Sequence, residues 1–194
     1  KAHSDDVDVL FLCTAHGVSR QFLSDQQIPD HIKIIDLSQD FRVEPNFGQR
    51  AFVYGLPECS RELLRNAQSI ANPGCFATAI QLALLPMATS ALLPEEVHIT
   101  GITGATGAGQ SLSETSHYSW RHSNISVYKV FEHQHLAEIN RNLDLQGGQS
   151  KLRFVPYRGP FTRGIWITAY MKSDLSEANA RALYEQYYTS HPFT

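Results

Sequence analysis

Basic residues never gather in this chain of 194 residues: 16 Lys and Arg face 19 Asp and Glu, for a net charge of −3. With no basic cluster, neither nucleic acid nor an anionic membrane is an expected partner. No apolar run approaches the roughly 18 residues of a membrane span. Cysteine is scarce as well. Cys13, Cys59 and Cys75 form an odd set with no C-x-x-C spacing, which argues against a disulfide framework or a zinc site and for a reducing cytoplasm. Internal repeats and low-complexity stretches are missing, and the opening Lys1-Ala-His-Ser-Asp-Asp6 does not read as a signal peptide. The residues present, 42% hydrophobic and 18% charged, have the composition of a globular protein with a sizeable core, long enough for one domain or one and a half.

The most informative stretch is Ser69-Ile-Ala-Asn-Pro-Gly-Cys75 together with the apolar segment behind it. A short apolar run stops at the breaker pair Pro73-Gly74, and Phe76 to Leu85 is then almost wholly apolar or small. This spacing predicts a strand, a tight turn and a buried helix with Cys75 in its first turn, and Pro86 to end or kink it. A thiol there meets N–H groups without intrahelical acceptors and the positive end of the helix dipole. Both favour the thiolate, the dipole by up to ~2 kcal/mol. A cysteine used only as a small hydrophobe is the bland alternative. The position directly after Pro-Gly turns the reading toward a nucleophile.

Upstream, Val7 to Cys13 is a near-continuous apolar run, as in a parallel strand buried on both faces. A helix over Ser19 to Leu23 and strands at Ile32 to Ile35 and Gln68 to Ala71 come next, in the alternation of a doubly wound sheet. Downstream the texture changes. Val97 to Thr103, Leu152 to Val155 and Ile165 to Met171 alternate faces, with Ile165, Ile167, Ala169 and Met171 on one side, which predicts an antiparallel sheet with one face on a core. Ser176 is the expected N-cap of a last helix whose stripe of Ala180, Leu183, Tyr184, Tyr187 and Tyr188 reads as core. The expected organisation is a partial Rossmann-like dinucleotide-binding domain over 1–74 and an α+β domain over 75–194. A strand so near the start and a stop just after a helix point to a longer protein.

Three further features could carry chemistry. Gly104-Ala-Thr-Gly-Ala-Gly109 comes after a strand, but no amphipathic helix or acidic ribose reader succeeds it, so it reads as a decoy for a dinucleotide fingerprint. A bare turn, or a loop whose N–H groups face an anion, remain for it. His133 and His135 would share a face on a strand but diverge on a helix, and the Leu136, Ile139, Leu143 spacing places them at a helix start; no metal site is expected, and solvated surface histidines are the commoner case. Arg163, just before a strand, is either a surface charge or a bidentate clamp for a carboxylate. Arg42 reads as part of an internal ion pair rather than a substrate contact, and Cys13, in a strand expected to be buried, and Cys59 read as inert.

Ile70-Ala-Asn-Pro-Gly-Cys-Phe-Ala-Thr-Ala79 with Ala83-Leu-Leu-Pro86 resembles the active-site signature of N-acyl-gamma-glutamyl-phosphate reductases of arginine biosynthesis. Asp36 to Arg42, Tyr54 to Glu58, Tyr128-Lys-Val130, His133 to Ile139 and Thr162 to Ile165 agree in the same order through nearly the whole chain. The resemblance implies a glyceraldehyde-3-phosphate dehydrogenase-like fold, NADP as cofactor, an acyl-phosphate substrate, a cytoplasmic dimer or tetramer, and an N-terminal glycine-rich unit and a C-terminal return segment that this sequence does not contain. It implies Cys75 as nucleophile, His135 as acid–base group buttressed by Glu138, His133, Arg163, Gly107 and Gly109 toward substrate, and Gly74 and Gly104 toward cofactor. The family often has Arg where this chain has Gln110. Aspartate-semialdehyde dehydrogenase, a cofactor-independent cysteine hydrolase or acyltransferase built on Cys75, His135 and Glu138, and a non-enzymatic oligomerisation fragment are the other readings.

Overall fold

The computed structural model describes residues 6–194, and the chain divides into two compact units, Lys1–Gly74 and Cys75–Thr194. The first holds β1 (Val9–Leu12), α1 (Val18–Asp25), β2 (Lys33–Asp36), a small hairpin β3 (Asn46–Phe47) and β4 (Arg50–Ala51), β5 (Val53–Tyr54), α2 (Pro57–Arg65) and β6 (Ser69–Ala71). Four of its strands form an all-parallel sheet in the order β1-β2-β6-β5. Its core joins Leu12, Leu23, Ile34, Phe41, Phe52 and Ala71, with the Phe41 and Phe52 rings stacked 3.8 Å apart. Ile34 and Ala71 lie in the central strands and are fully buried. β1 is different: it is an edge of this sheet, and Val9 and Phe11 are 39% and 58% exposed. The expectation of burial on both faces is therefore corrected. Cys13 lies just past the strand and is exposed, against the reading of a buried, inert thiol.

The second unit comprises α3 (Cys75–Thr89), β7 (Glu96–Thr103), α4 (Tyr118–Arg121), β8 (Ser126–Val127), α5 (His135–Leu145), β9 (Lys151–Arg158), β10 (Ile165–Tyr170) and α6 (Glu177–Tyr188). Its sheet runs β10-β7-β9-β8. The outer pairings are antiparallel, as expected, but the central β7 and β9 are parallel, so the sheet is mixed. A parallel pair needs a long crossover, and the segment holding α4, β8 and α5 supplies it.

α3 carries the buried apolar side chains of Phe76, Ala77, Ile80, Leu84, Leu85 and Met87 and packs against β10, α5 and α6. Gly101 on β7 makes room for it: a Cβ there would meet Phe76 Cε1 at 2.6 Å and Phe154 Cε2 at 2.8 Å. Pro86 does not end the helix. It sits inside α3, where its missing N–H deprives the carbonyl of Leu82, four residues back, of an intrahelical donor. α6 supplies the replacement: Tyr188 donates its hydroxyl to Leu82 O at 2.5 Å, and Tyr184 donates to Ala83 O at 2.6 Å. Ser176 caps α6 by accepting from the Asn179 N–H at 3.2 Å. The predicted stripe, Ala180 to Tyr188, is the half-buried face of that helix.

Candidate active site

Cys75 is the first residue of α3 and is exposed, while its neighbour Phe76 is 1% exposed. The buried Phe76 ring anchors the helix start against the sheet, and the thiol is left at the surface beside N–H groups that no helical carbonyl can reach. Phe76 also packs edge-on against His133, with ring centroids 5.5 Å apart.

His133 and His135 are both buried, which sets aside the alternative of solvated surface histidines. His135 opens α5, and its Nε2 stands 3.9 Å from Glu138 Oε1 one turn along the helix. His133 precedes the helix, and its Nδ1 accepts the backbone N–H of His135 at 3.2 Å. That contact requires an unprotonated Nδ1. Burial, and then the charges of Lys129 and Arg158, push its pKa down to about 4. His133 is thus neutral near pH 7, whereas the His135 imidazole faces a carboxylate.

Tyr128 and His133 are held edge to face, centroids 5.7 Å apart, by the short segment between them. Lys129 and Phe131 in that segment adopt left-handed backbone at φ 43 and 63, a conformation that costs a bulky residue about 1–3 kcal/mol and concentrates at functional sites. Burial raises the Tyr128 phenol above its ordinary pKa. The charge of Arg158 and a hydrogen bond from it pull the other way, and Cys75 adds to the rise. Arg158 lies over the Tyr128 ring, 4.7 Å from its centroid. Cys75, Tyr128, His133, His135, Glu138 and Arg158 thus form one connected cluster.

Three residues around this cluster are not among the site residues expected from the sequence. Tyr128 and Lys129 are visible there only as part of a motif, and Arg158 only as part of a chain break. A signal for Arg158 does exist. Leu152, Phe154 and Pro156 are the buried positions of β9, and Arg158 continues their parity. An arginine on the inward parity of a strand is seldom a surface charge.

Arg163 is exposed, in the turn before β10. Gly74 is buried and ends the first unit. After β7 the glycine segment forms a 3₁₀ turn over Ala105–Ala108 without a following helix, so it is not a dinucleotide fingerprint. Five of the loop's N–H groups are spent internally. Gly104 donates to Gly164 O, Ala105 to Phe161 O, Thr106 to Thr162 O, Gly107 to Gly104 O and Gly109 to Thr106 O. A Cβ on Gly104 would meet Thr162 O at 2.6 Å, so this glycine serves the close approach of the 161–164 turn. A cleft of ≈ 790 Å³, lined by Gln110, Leu112, His117 and Trp120 among others, opens beyond that loop and shares no residue with the thiol cluster. Arg42 is internal, as expected, with Nε donating to Asn72 O and Nη2 to Leu37 O. Among the described residues no group of three or more His, Cys, Asp or Glu is placed to hold a metal ion, and no helix is long and apolar enough to cross a membrane.

The profile described as semialdehyde dehydrogenase, dimerisation domain, matches residues 75–194, and that described as semialdehyde dehydrogenase, NAD binding domain, matches 1–67. The chain belongs to the semialdehyde dehydrogenase family. Among curated relatives, proteins named N-acetyl-gamma-glutamyl-phosphate reductase from Parabacteroides distasonis and Azobacteroides pseudotrichonymphae are 50% and 53% identical over 192 and 190 residues. Each alignment covers 98% of this chain and 59% or 58% of the relative, so the chain spans under two thirds of their length. The fold is that of solved semialdehyde dehydrogenases. Aspartate semialdehyde dehydrogenase II from Vibrio cholerae matches with a TM-score of 0.66 at 15% identity, over 94% of this chain and 61% of that one. A probable aspartate-semialdehyde dehydrogenase from Pseudomonas aeruginosa matches at 0.68 and 15%, over 97% and 62%.

Proposed function

We propose that the protein to which this chain belongs reduces N-acetyl-γ-glutamyl phosphate to the semialdehyde through a thioester on Cys75, with NADPH as reductant. The observation that carries the reading is an exposed thiol at the first position of a buried helix, beside a cluster of buried histidines and half-buried Tyr128 and Arg158. Relatives about half identical in sequence bear the name of that activity.

The side chains supply the chemistry. The Cys75 thiolate attacks the acyl carbon, the C–O bond to phosphate breaks, and phosphate leaves with the bonding electrons. N–H groups at the start of α3 stabilise the oxyanion that forms on the way. His135, facing Glu138, takes the thiol proton and returns it to the Cys75 sulfur as the hemithioacetal oxyanion collapses, its C–S bond breaks and the aldehyde departs, restoring the thiol. His133, its pKa pushed down to about 4, is a weak base for that proton. It serves as a neutral packing partner that fixes the start of α5.

A bound nicotinamide supplies the hydride. The parallel sheet of the first unit fits a dinucleotide at the carboxyl ends of its strands, but one element of such a site is filled. Asp40 accepts from the Gly17 N–H at 2.6 Å and from the Arg20 N–H at 3.0 Å, so a carboxylate of the chain itself occupies the N-terminus of α1. A pyrophosphate would need another helix end, in keeping with a chain shorter than its relatives.

The uncovered face of the second unit's sheet supports a homo-oligomer. Trp166 and Tyr170 on β10 are 71% and 65% exposed, and Val127 on β8 is 50% exposed. Their register partners, Ile102 for Trp166 and Tyr157 for Val127, continue this apolar face across β7 and β9. A second copy would cover it.

The test is the reverse reaction of the full-length enzyme: phosphate-dependent NADP reduction with N-acetylglutamate semialdehyde. Turnover that needs phosphate and is lost in Cys75→Ser supports the reading. Thioester hydrolysis without nicotinamide would move the assignment to a cysteine hydrolase.

A further inference from the structure

Three of the six arginines of the second unit, Arg121, Arg153 and Arg181, are accounted for by what they touch. Arg153 pairs with Glu96 at 2.7 Å and Arg181 with Glu177 at 3.5 Å. Arg121 is 5% exposed, and its guanidinium donates to the carbonyls of Thr115, Asn124 and Arg158 and to Ser126 Oγ. Arg158 is different. Its Nε is buried and has no hydrogen-bond partner, and among the described residues no carboxylate pairs with it. A buried guanidinium donor left unmade costs more than an ordinary surface group, because its desolvation is uncompensated.

Its surroundings make the position more unusual. The guanidinium lies over the Tyr128 ring at 4.7 Å, and His133 packs edge-on against the same tyrosine. Arg121 donates to the Arg158 carbonyl at 2.7 Å, and burial together with the Arg158 charge lowers the Arg121 pKa. Two cations are therefore held near one another, with Lys129 adding a third charge felt by His133. Tyr128 in turn feels Cys75. An arginine forced into this setting without an acid has its donors preformed for an anion that comes and goes.

We propose that Arg158 receives the phosphoryl group of the substrate, holding it beside Cys75 through Nε and a terminal nitrogen while the C–O bond breaks. The role needs two parallel N–H donors, which guanidinium presents to phosphate oxygens and an ammonium does not. The phosphoryl group is preferred over the substrate's α-carboxylate because it is bonded to the carbon that the thiol attacks. The assignment deepens the acyl-phosphate reading above and rests on it for its place in the reaction.

Two measurements on the 194-residue chain test it, with Arg158→Gln and Arg158→Lys. The first is the rate of Cys75 modification by iodoacetate relative to iodoacetamide, mapped by peptide, with exposed Cys13 as the internal control. A preformed anion site gives Cys75 a higher ratio than Cys13, and Arg158→Gln removes that excess, about tenfold, while Arg158→Lys retains part of it. An unchanged ratio in Arg158→Gln overturns the proposal. The second is 31P line broadening on titration with inorganic phosphate, which does not depend on the thiol. Weaker phosphate binding in Arg158→Gln supports the site even if Cys75 proves unreactive to both reagents, an outcome that would count against the thioester reading alone. Equal phosphate binding in all three proteins, or an Arg158 effect confined to competition by N-acetylglutamate, overturns the phosphoryl assignment.

Discussion

Each unit carries a polar cluster at the end of its sheet, and the two are built on opposite terms. In the first unit the cluster is closed. Asp36 is fully buried and accepts from Ser19 Oγ at 2.5 Å and Ser38 Oγ at 2.8 Å, with Thr14 completing the chain through Ser19 at 2.6 Å. Asp40 is spent on the start of α1, and Arg20 on the carbonyls of Asp40 and Glu44. In the second unit the cluster is open. The thiol is exposed, the Arg158 Nε has no partner, His133 is held neutral, and the segment beside it carries left-handed backbone at Lys129 and Phe131. Buried polar groups are normally satisfied, so the closed cluster is what stability alone produces. The open one carries costs that stability does not repay, and such sites are where chemistry is expected.

The largest effect that could break this contrast lies in the two histidines. In the full-length enzyme, His135→Ala is expected to depress turnover by about 10²–10⁴-fold, the usual worth of an acid–base group. His133→Ala should fall well short of that, since a histidine neutral near pH 7 holds the start of α5 through its Nδ1. Steady-state kcat for both variants decides it. Equal losses, or a greater one at His133, would transfer the proton-handling role.

The next effect is a pH dependence. The folded-state pKa of His133 lies at about 4, below the 6.5 of an exposed histidine, so the unfolded chain binds the proton more readily. Stability contributed by this site is intact above about pH 6.5 and falls as pH drops toward 4, by up to about 3 kcal/mol in all. Urea melts at pH 7, 5.5 and 4.5 should show the loss in the parent and a shallower one in His133→Phe. The same pH slope in both would remove His133 from the account.

On the closed side, Asp36→Ala leaves buried hydroxyls of Ser19 and Ser38 without their acceptor and is expected to cost roughly 1–3 kcal/mol. Thermal unfolding measures it. The iodoacetamide rate at Cys75 below the transition should be unchanged, because Asp36 belongs to the other cluster. A slowed thiol would mean that the two clusters are coupled.

Legibility in the sequence divides along the same line. Period and punctuation reveal the helix at Cys75, the cap at Ser176 and the tyrosine stripe, because each is set by neighbours three or four residues apart. The mixed order of the second sheet is not legible. Alternation along β7 and β9 says which side is buried but nothing of which strand lies alongside or in which direction. The exposure of Phe11 and Cys13 escapes because an apolar run reads alike at the edge and the centre of a sheet. The glycine segment is a related case. Three of its N–H groups, at Gly104, Ala105 and Thr106, donate to carbonyls of the 161–164 turn, more than fifty residues away. Arg158 is the instructive case: its inward parity is in the sequence, yet only the buried Nε left without a partner, a three-dimensional fact, makes it informative.

Pro86 offers the smallest test, and it asks whether a defect in the open unit can itself be closed. A proline within a helix costs about 3 kcal/mol or more, partly through the carbonyl it leaves without a donor. Here that carbonyl, Leu82 O, receives the Tyr188 hydroxyl instead. Tyr188→Phe keeps the ring and removes only that donor, so a loss of about 1 kcal/mol is expected, the net worth of one such hydrogen bond. Tyr184→Phe, which removes the bond to Ala83 O, provides the comparison. If the proline is what makes the Leu82 bond matter, then Pro86→Ala, which restores an N–H for Leu82, should reduce the cost of Tyr188→Phe but leave that of Tyr184→Phe largely as it was. A double-mutant cycle read by urea unfolding gives the coupling directly. No coupling between positions 86 and 188 would mean that the tyrosine hydroxyl merely sits beside the helix, and that α3 tolerates its proline by packing alone.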